Sequence, residues 1–199
     1  MRLFRRGGDA GAGPVEWLVV GLGNPGREYA GTRHNVGFEA ANLLAQGWDL
    51  SRAKRKFGGL LAQGRAGPEG PRVAVLLPQT YMNEAGRAVG PARGTFRLPL
   101  DRVLVLHDEI DLPFGEVRTR VGGGLAGHKG LKSVAGELGG PDFTRVRIGV
   151  GRPESTDPEV VSRYVLSRFR EPPDQVRQLI ERARDAAERV VLGEREAAS

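Results

Sequence analysis

Several side chains able to hold a substrate or move a proton crowd around one turn. In L-V-V-G-L-G-N-P-G-R-E-Y-A-G-T-R-H-N-V-G, Leu18 to Gly37, an apolar run meets a glycine-rich turn that delivers Asn24, Tyr29, His34 and Asn35. A histidine just beyond such a turn suits proton transfer, because an unperturbed imidazole already changes charge near neutral pH. Histidine also opens helices with no chemical duty, and taken alone His34 fits either reading. Gly21, Gly23 and Gly26 spell G-x-G-x-x-G, the dinucleotide fingerprint. Pro25 lies inside that turn, and the nearest acid at a suitable separation, Glu39, falls in a helical pattern instead of at a strand end. Both argue against a bound dinucleotide.

A second cluster sits in L-H-D-E-I-D-L-P, where His107, Asp108, Glu109 and Asp111 end an apolar strand. In open α/β sheets ligands bind outside the carboxyl ends of strands, and a carboxylate there can orient a histidine and stabilise its cation. Asp111, before Leu-Pro, equally resembles a turn acid. Spacing does not pair a particular acid with a particular histidine. Two histidines and a carboxylate could also bind metal, but no H-x-x-x-H type of spacing supports it. In P-Q-T-Y-M-N-E-A-G, Asn83 follows a strand, either as a helix cap or as an amide that holds a carbonyl or a water. V-G-G-G-L-A-G-H-K-G-L-K reads as a glycine loop entering a helix at His128, with Lys129 and Lys132 at its start. Cations there oppose the helix dipole, a cost that an anionic ligand would offset. Arg118 and Arg120, then Arg145 and Arg147, alternate on strand faces nearby. They read as solvated faces or as a phosphate track.

The elements that would carry these residues alternate between strand and helix. The patterns predict strands at 17–21, 59–63, 72–77, 102–107, 116–121 and 145–150. Helices are expected at 34–46, 82–89, 128–138, 158–166 and 173–192. The fold class is therefore α/β, a single domain with a mixed, twisted sheet flanked by helices. The fully apolar runs L-V-V and V-L-V-L suggest central strands covered on both faces. In the last helix, Val176, Leu179, Ile180, Ala183, Ala187 and Val190 recur at helical spacing, which marks an amphipathic helix packed on the core. Residues 1–14 are expected to form a disordered, basic, glycine-rich tail, and 15–199 the single domain.

Composition narrows the function classes. The 199 residues include no cysteine, which excludes disulfides, thiolate zinc sites and cysteine nucleophiles. No apolar run approaches the ~18 residues that would span a bilayer, and the N-terminal stretch lacks the apolar segment of a signal peptide. A cytoplasmic location is expected. The net charge of +6 favours a polyanionic partner. Lysine occurs only at 54, 56, 129 and 132, so arginine, which grips phosphate bidentately, dominates the 30 basic residues. A GC-rich genome would produce the same bias.

Taken together, V-G-L-G-N-P-G-x-x-Y-x-x-T-R-H-N-x-G, P-Q-T-Y-M-N, H-D-E-I-D-L-P and G-H-K-G-L-K resemble the bacterial-type peptidyl-tRNA hydrolases, over roughly Leu18 to Phe169. The resemblance implies a monomeric esterase, free of metal and of any other cofactor. It would cut the ester between a peptide and the 3′-terminal ribose of tRNA, with peptidyl-tRNA as partner through its CCA end and acceptor-stem phosphates. By the same resemblance His34 is the base that activates water, and Asp108 polarises it. Asn24 and Asn83 hold the peptide and the reacting carbonyl. Tyr29, Asn35, Tyr81 and Met82 shape the crevice, and Arg120 and Arg147 clamp the terminal phosphate, with Lys129 and Lys132 beside them.

The chain departs from the family at Lys129, where the pattern usually has asparagine, and at Leu125, usually a polar position. Lysine can meet a phosphate but accepts no hydrogen bond. That change motivates an alternative: a non-catalytic RNA-binding module on the same fold. Retention of both His34 and Asp108 weighs against it.

Overall fold

The computed structural model describes residues 13–193, so all but the last two residues of the expected tail lie outside the described part. Seven strands form one mixed sheet. They are β1 (Trp17–Gly21), β2 (Lys54–Lys56), β3 (Gly59–Arg65), β4 (Arg72–Pro78), β5 (Val103–Glu109), β6 (Val117–Val121) and β7 (Thr144–Gly149). Their order across the sheet is β2-β3-β4-β1-β5-β7-β6. β4, β1, β5 and β7 run parallel, while the edges are antiparallel. β1 and β5 are buried throughout, as their unbroken apolar runs predict.

The described residues form five α-helices: α1 (Val36–Gly47), α2 (Gly86–Phe96), α3 (Lys129–Leu138), α4 (Pro158–Val165) and α5 (Pro173–Leu192), of which α1, α2, α3 and α5 cover the two faces. α1 and α5 pack over Val19, Leu104, Leu106 and Val146. α2 and α3 close the opposite face over Leu18, Val20, Val103 and Val105. The carboxyl ends of β1, β4 and β5 are left open and lead into the segments that carry Asn24, His34, Tyr81, Asn83 and Asp108, while the glycine loop that brings His128 and Lys129 leaves β6 at the other end of the sheet.

Two elements differ from expectation. The helix expected at 82–89 is a 3-10 turn, Met82–Glu84, followed by α2, which runs through Pro91 to Phe96. Pro91 forgoes one intrahelical hydrogen bond, but burial of Ala88, Val89 and Ala92 carries the helix past it. β2 carries no apolar residue and leaves no periodic signal. It becomes a strand through a two-residue hairpin turn at Phe57 and Gly58, both with positive φ (54° and 70°), the backbone a primed turn requires.

One glycine sets how closely α1 approaches the sheet. A Cβ on Gly37 would lie 2.3 Å from the Leu106 carbonyl oxygen and 2.8 Å from that of Leu22. These are rigid backbone atoms, so the helix that follows His34 would have to lift. Gly37→Ala should therefore cost about 1–3 kcal/mol, a fall of several degrees in Tm by thermal denaturation. Gly94→Ala, in α2 with open space around it, should be neutral or slightly stabilising.

Candidate active site

The turn after β1 is braced before it presents anything to solvent. The Leu22 amide donates to the Leu106 carbonyl, and Phe38 donates to the Leu22 carbonyl. Asn24 and Asn35 lock together: the Asn24 amide donates to Asn35 Oδ1 and Asn35 Nδ2 to the Asn24 carbonyl, both at 2.9 Å. Asn24 Oδ1 in turn accepts from the Met82 amide at 2.7 Å. Its oxygen is thus committed, and its Nδ2 hydrogens remain as donors at the cavity that Asn24 lines.

His34 is held from behind by its neighbour. Arg33 is buried, donates to Ser167 Oγ (2.8 Å) and the Arg168 carbonyl (2.7 Å), and pairs with Glu171 at 3.2 Å. Its guanidinium also lies 4.3 Å from the centre of the Tyr164 ring. This set ties the His34 turn to the segment that follows α4 and forms one cavity wall.

At the centre, one carboxylate serves two imidazoles. His34 Nδ1 and His128 Nε2 each lie 2.9 Å from Asp108 Oδ1. His128 Nδ1 accepts from the amides of Gly130 and Leu131, so it caps α3 with its ring. A nitrogen that receives amide hydrogens carries none, and the ring proton of His128 therefore sits on Nε2, aimed at Asp108. Asp108 can only accept, so neutral His34 keeps its proton on Nδ1. Its Nε2 lone pair is then free.

This donor set is wrong for a metal, although the three side chains lie within 4.8 Å of one another. To ligate through Nε2, His128 would have to move its proton to Nδ1, against the two amide hydrogens of its own helix.

Burial pulls the His34 pKa down, but the Asp108 charge and hydrogen bond more than reverse this and leave it above its ordinary value; Lys129 works downward. Burial alone would raise the Asp108 pKa, yet His34 and His128 hold it well below the usual range. His107 is a structural residue: its Nδ1 donates to the Asp108 carbonyl, and burial first, then His128 and Arg145, push its pKa down to about 3.

The structure gathers Asn24, His34, Tyr81, Met82, Asn83, Asp108 and Lys129 around one cavity of about 520 Å³. Ile110, Val161, Val165 and Leu166 supply an apolar wall, and Tyr81 stands 59% exposed at the rim. Asn83 caps nothing, since Tyr81 occupies the cap position of its 3-10 turn. Other expected residues lie elsewhere. Asn35 is buried behind Asn24, and Tyr29 sits in the preceding 3-10 turn. Arg120 and Arg147 lie on β6 and β7, with Arg147 Nε 3.0 Å from buried Glu109. Lys132 is exposed on α3. His128, left open by sequence reasoning, and Arg33, absent from it, belong to the site. A histidine opening a helix after a glycine loop was a usable signal for the first. The partners of Arg33 lie more than 130 residues away, so nothing local marks the second.

Residues 18–199 match the family model described as peptidyl-tRNA hydrolase. A peptidyl-tRNA hydrolase of Syntrophotalea carbinolica is 51% identical over 76% of this chain and 78% of its own. One of Anaeromyxobacter dehalogenans is 49% identical over 86% and 90%. The crystal structure of peptidyl-tRNA hydrolase from Acinetobacter baumannii superimposes with a TM-score of 0.78 at 37% identity, covering 92% of each chain.

The proton assignments are open to nitrogen-correlated NMR of the imidazoles. Neutral His34 should carry its proton on Nδ1 and His128 on Nε2. Asp108→Asn removes the charge that raises the His34 pKa and should lower it, whereas Lys129→Met should raise it. A His34 pKa indifferent to Asp108→Asn would contradict the pairing.

Proposed function

The chain belongs to the peptidyl-tRNA hydrolase family, and from that premise we propose that it hydrolyses the ester joining a peptide, or an N-blocked amino acid, to the 3′-terminal ribose of tRNA. The observation that carries this reading is the 2.9 Å contact of His34 Nδ1 with Asp108, which leaves Nε2 as a base at the cavity. His34 Nε2 takes a proton from water as the water oxygen bonds to the ester carbonyl carbon. Asp108 holds the resulting imidazolium. The tetrahedral intermediate then collapses, the bond from carbon to the ribose oxygen breaks, and the imidazolium proton passes to that oxygen. Free tRNA and the peptide acid leave, and the acid gives its proton to solvent to become a carboxylate.

The remaining groups bind and orient. Nδ2 of Asn24 and the amide of Asn83 offer neutral donors to the peptide and to the carbonyl oxygen as it gains charge. Lys129 adds a cation on the same wall. Tyr81, Met82 and the apolar wall take the peptide, and Arg120, Arg147 and Lys132 meet phosphate. Tyr29 and Asn35 act by holding the turn. No metal or other cofactor takes part in these steps. The cavity is complete within one chain, in keeping with a monomer, and we place the protein in the cytoplasm with the translation machinery. Among the described residues no helix is long and apolar enough to cross a membrane.

A non-catalytic RNA-binding module would have no use for a buried carboxylate shared between two oriented imidazoles, and the intact arrangement favours the enzyme. His34→Ala should reduce turnover of N-acetyl-aminoacyl-tRNA by ~10²–10⁴-fold, with tRNA affinity retained and EDTA without effect. Unchanged turnover in that variant would sink the mechanism.

A further inference from the structure

Away from the cavity, the most concentrated charge among the described residues lies on the far edge of the sheet. Arg52, Lys54, Arg55 and Lys56 are all exposed, within five positions and with no acid among them. None joins an ion pair among the described residues. Lys56 Nζ rests 4.8 Å from the centre of the Phe57 ring. Beyond that ring contact, these charges make no hydrogen bond or ion pair among the described residues.

Their placement is not arbitrary. Lys54 pairs with Leu61, Leu61 with Leu76, Leu76 with Val20, Val20 with Val105, Val105 with Arg145 and Arg145 with Arg120. Residues directly opposite one another point to the same face. One row of side chains therefore runs from Lys54 at one edge to Arg120 at the other, on the face covered by α2 and α3. At six strand spacings the two ends stand about 29 Å apart. Lys56 is opposite Gly59, which is opposite Pro78 at the carboxyl end of β4, so the basic hairpin sits at the cavity end of the sheet. The Gln79 amide donates to the Gly58 carbonyl at 2.9 Å, which ties this hairpin to the segment that brings Tyr81 and Met82 to the cavity.

We propose that the β2 hairpin, through Lys54, Arg55 and Lys56, is a second RNA-phosphate contact, engaging the substrate's RNA at the edge opposite Arg118, Arg120 and Arg147. The inference rests on the function proposed above. Cations at both ends of a ~29 Å row complement an extended polyanion, and the hairpin end of that row lies at the cavity end of the sheet. A single-stranded 3′ end threaded into the cavity cannot occupy both edges, whereas the folded body of an RNA can. Alternation along β2 places Lys54 and Lys56 toward the α2 and α3 face and Arg55 away from it. The edge then presents charge around its whole rim.

Charged edge strands also deter pairing between sheets, and the experiment separates that role from RNA contact. Binding of uncharged tRNA would be followed by fluorescence anisotropy across a salt series, for wild type, for a Lys54→Gln, Arg55→Gln, Lys56→Gln triple variant, and for a Lys54→Glu, Lys56→Glu double variant. The double variant keeps the edge charged and so keeps any protection against aggregation. The proposal expects the triple variant to bind about tenfold more weakly, with a salt slope shallower by about two, and the double variant to bind more weakly still. Arg177→Gln with Arg182→Gln, which removes two positive charges from α5 on the other face of the sheet, serves as the control for basic charge lost elsewhere and should change neither quantity. Wild-type affinity and slope in the β2 variants would overturn the proposal, as would an equal loss in the α5 control. Binding to uncharged tRNA requires no turnover, so failure of ester hydrolysis would count against the proposed function and leave this test standing.

Discussion

A buried carboxylate must be given hydrogen-bond donors or it will not stay ionised, and the site grows from how this chain meets that demand at Asp108. Its side chain is 2% exposed. Desolvation on that scale opposes the charge. Two imidazole N–H groups aimed at the same oxygen restore it. Each donor then acquires a fixed tautomer, because a carboxylate only accepts. His128 spends its other nitrogen on the first amides of α3, and His34 has no second partner among the described residues. One histidine becomes structure, and the other keeps a nitrogen that can accept a proton. The difference arises from what lies behind each ring, not from the residue type.

Meeting that demand requires three loops to converge with little slack. The sheet supplies the convergence, since β1 and β5 are parallel neighbours whose carboxyl ends emerge side by side. Close contact supplies the tightness. α1 reaches the sheet only because Gly37 carries no side chain, and the Asn24–Asn35 exchange fixes the turn before His34 begins. Arg33 closes the arrangement from the other side by joining the histidine turn to the wall beyond α4. A planar guanidinium can stack on Tyr164 while donating in its own plane to Ser167, Arg168 and Glu171, a combination that lysine cannot offer.

Much of this was legible in the sequence, for reasons that differ by element. β1 matches its expected bounds because an unbroken apolar run between polar segments has few other uses. α5 does so because Pro172, Pro173 and Gly193 punctuate a long helical period. β2 was invisible: a strand of three charged residues exists only through its partner, and Phe57 is not a residue that announces a primed turn. α2 differs in the opposite sense: it continues through Pro91 to Phe96, beyond the expected end at 89, because its burial against α3 outweighs the lost hydrogen bond. At the site, the turn residues and the acids at the end of β5 could be found by pattern. Their pairing could not, because His34 and Asp108 are 74 residues apart and three acids compete at that strand end. Only the resemblance to a family singled out Asp108, and the geometry gives the physical reason: Glu109 turns instead to Arg147, and Asp111 to Arg152.

Lys129 shows how such a site can accept a charge that looks out of place. A cation beside a general base lowers the base's pKa, which weakens it as a proton acceptor. Here Asp108 raises that pKa, and the two influences oppose each other on one ring. The ammonium is exposed, so solvent screens it, while the carboxylate acts through a direct contact with no water between. The contact therefore prevails, and His34 stays above its ordinary pKa. On the mechanism proposed above, what Lys129 retains is an effect on species in the cavity that it lines: the oxyanion that would form on the carbonyl and the carboxylate that would follow it. A positive charge stabilises both. It favours the transition state, in which negative charge is only developing, and it also retains the product, in which that charge is complete. Asparagine at the same place would bind both more weakly. On that mechanism, lysine here would shift part of the barrier from bond breaking toward product release, while the direct Asp108 contact keeps the His34 pKa above its ordinary value.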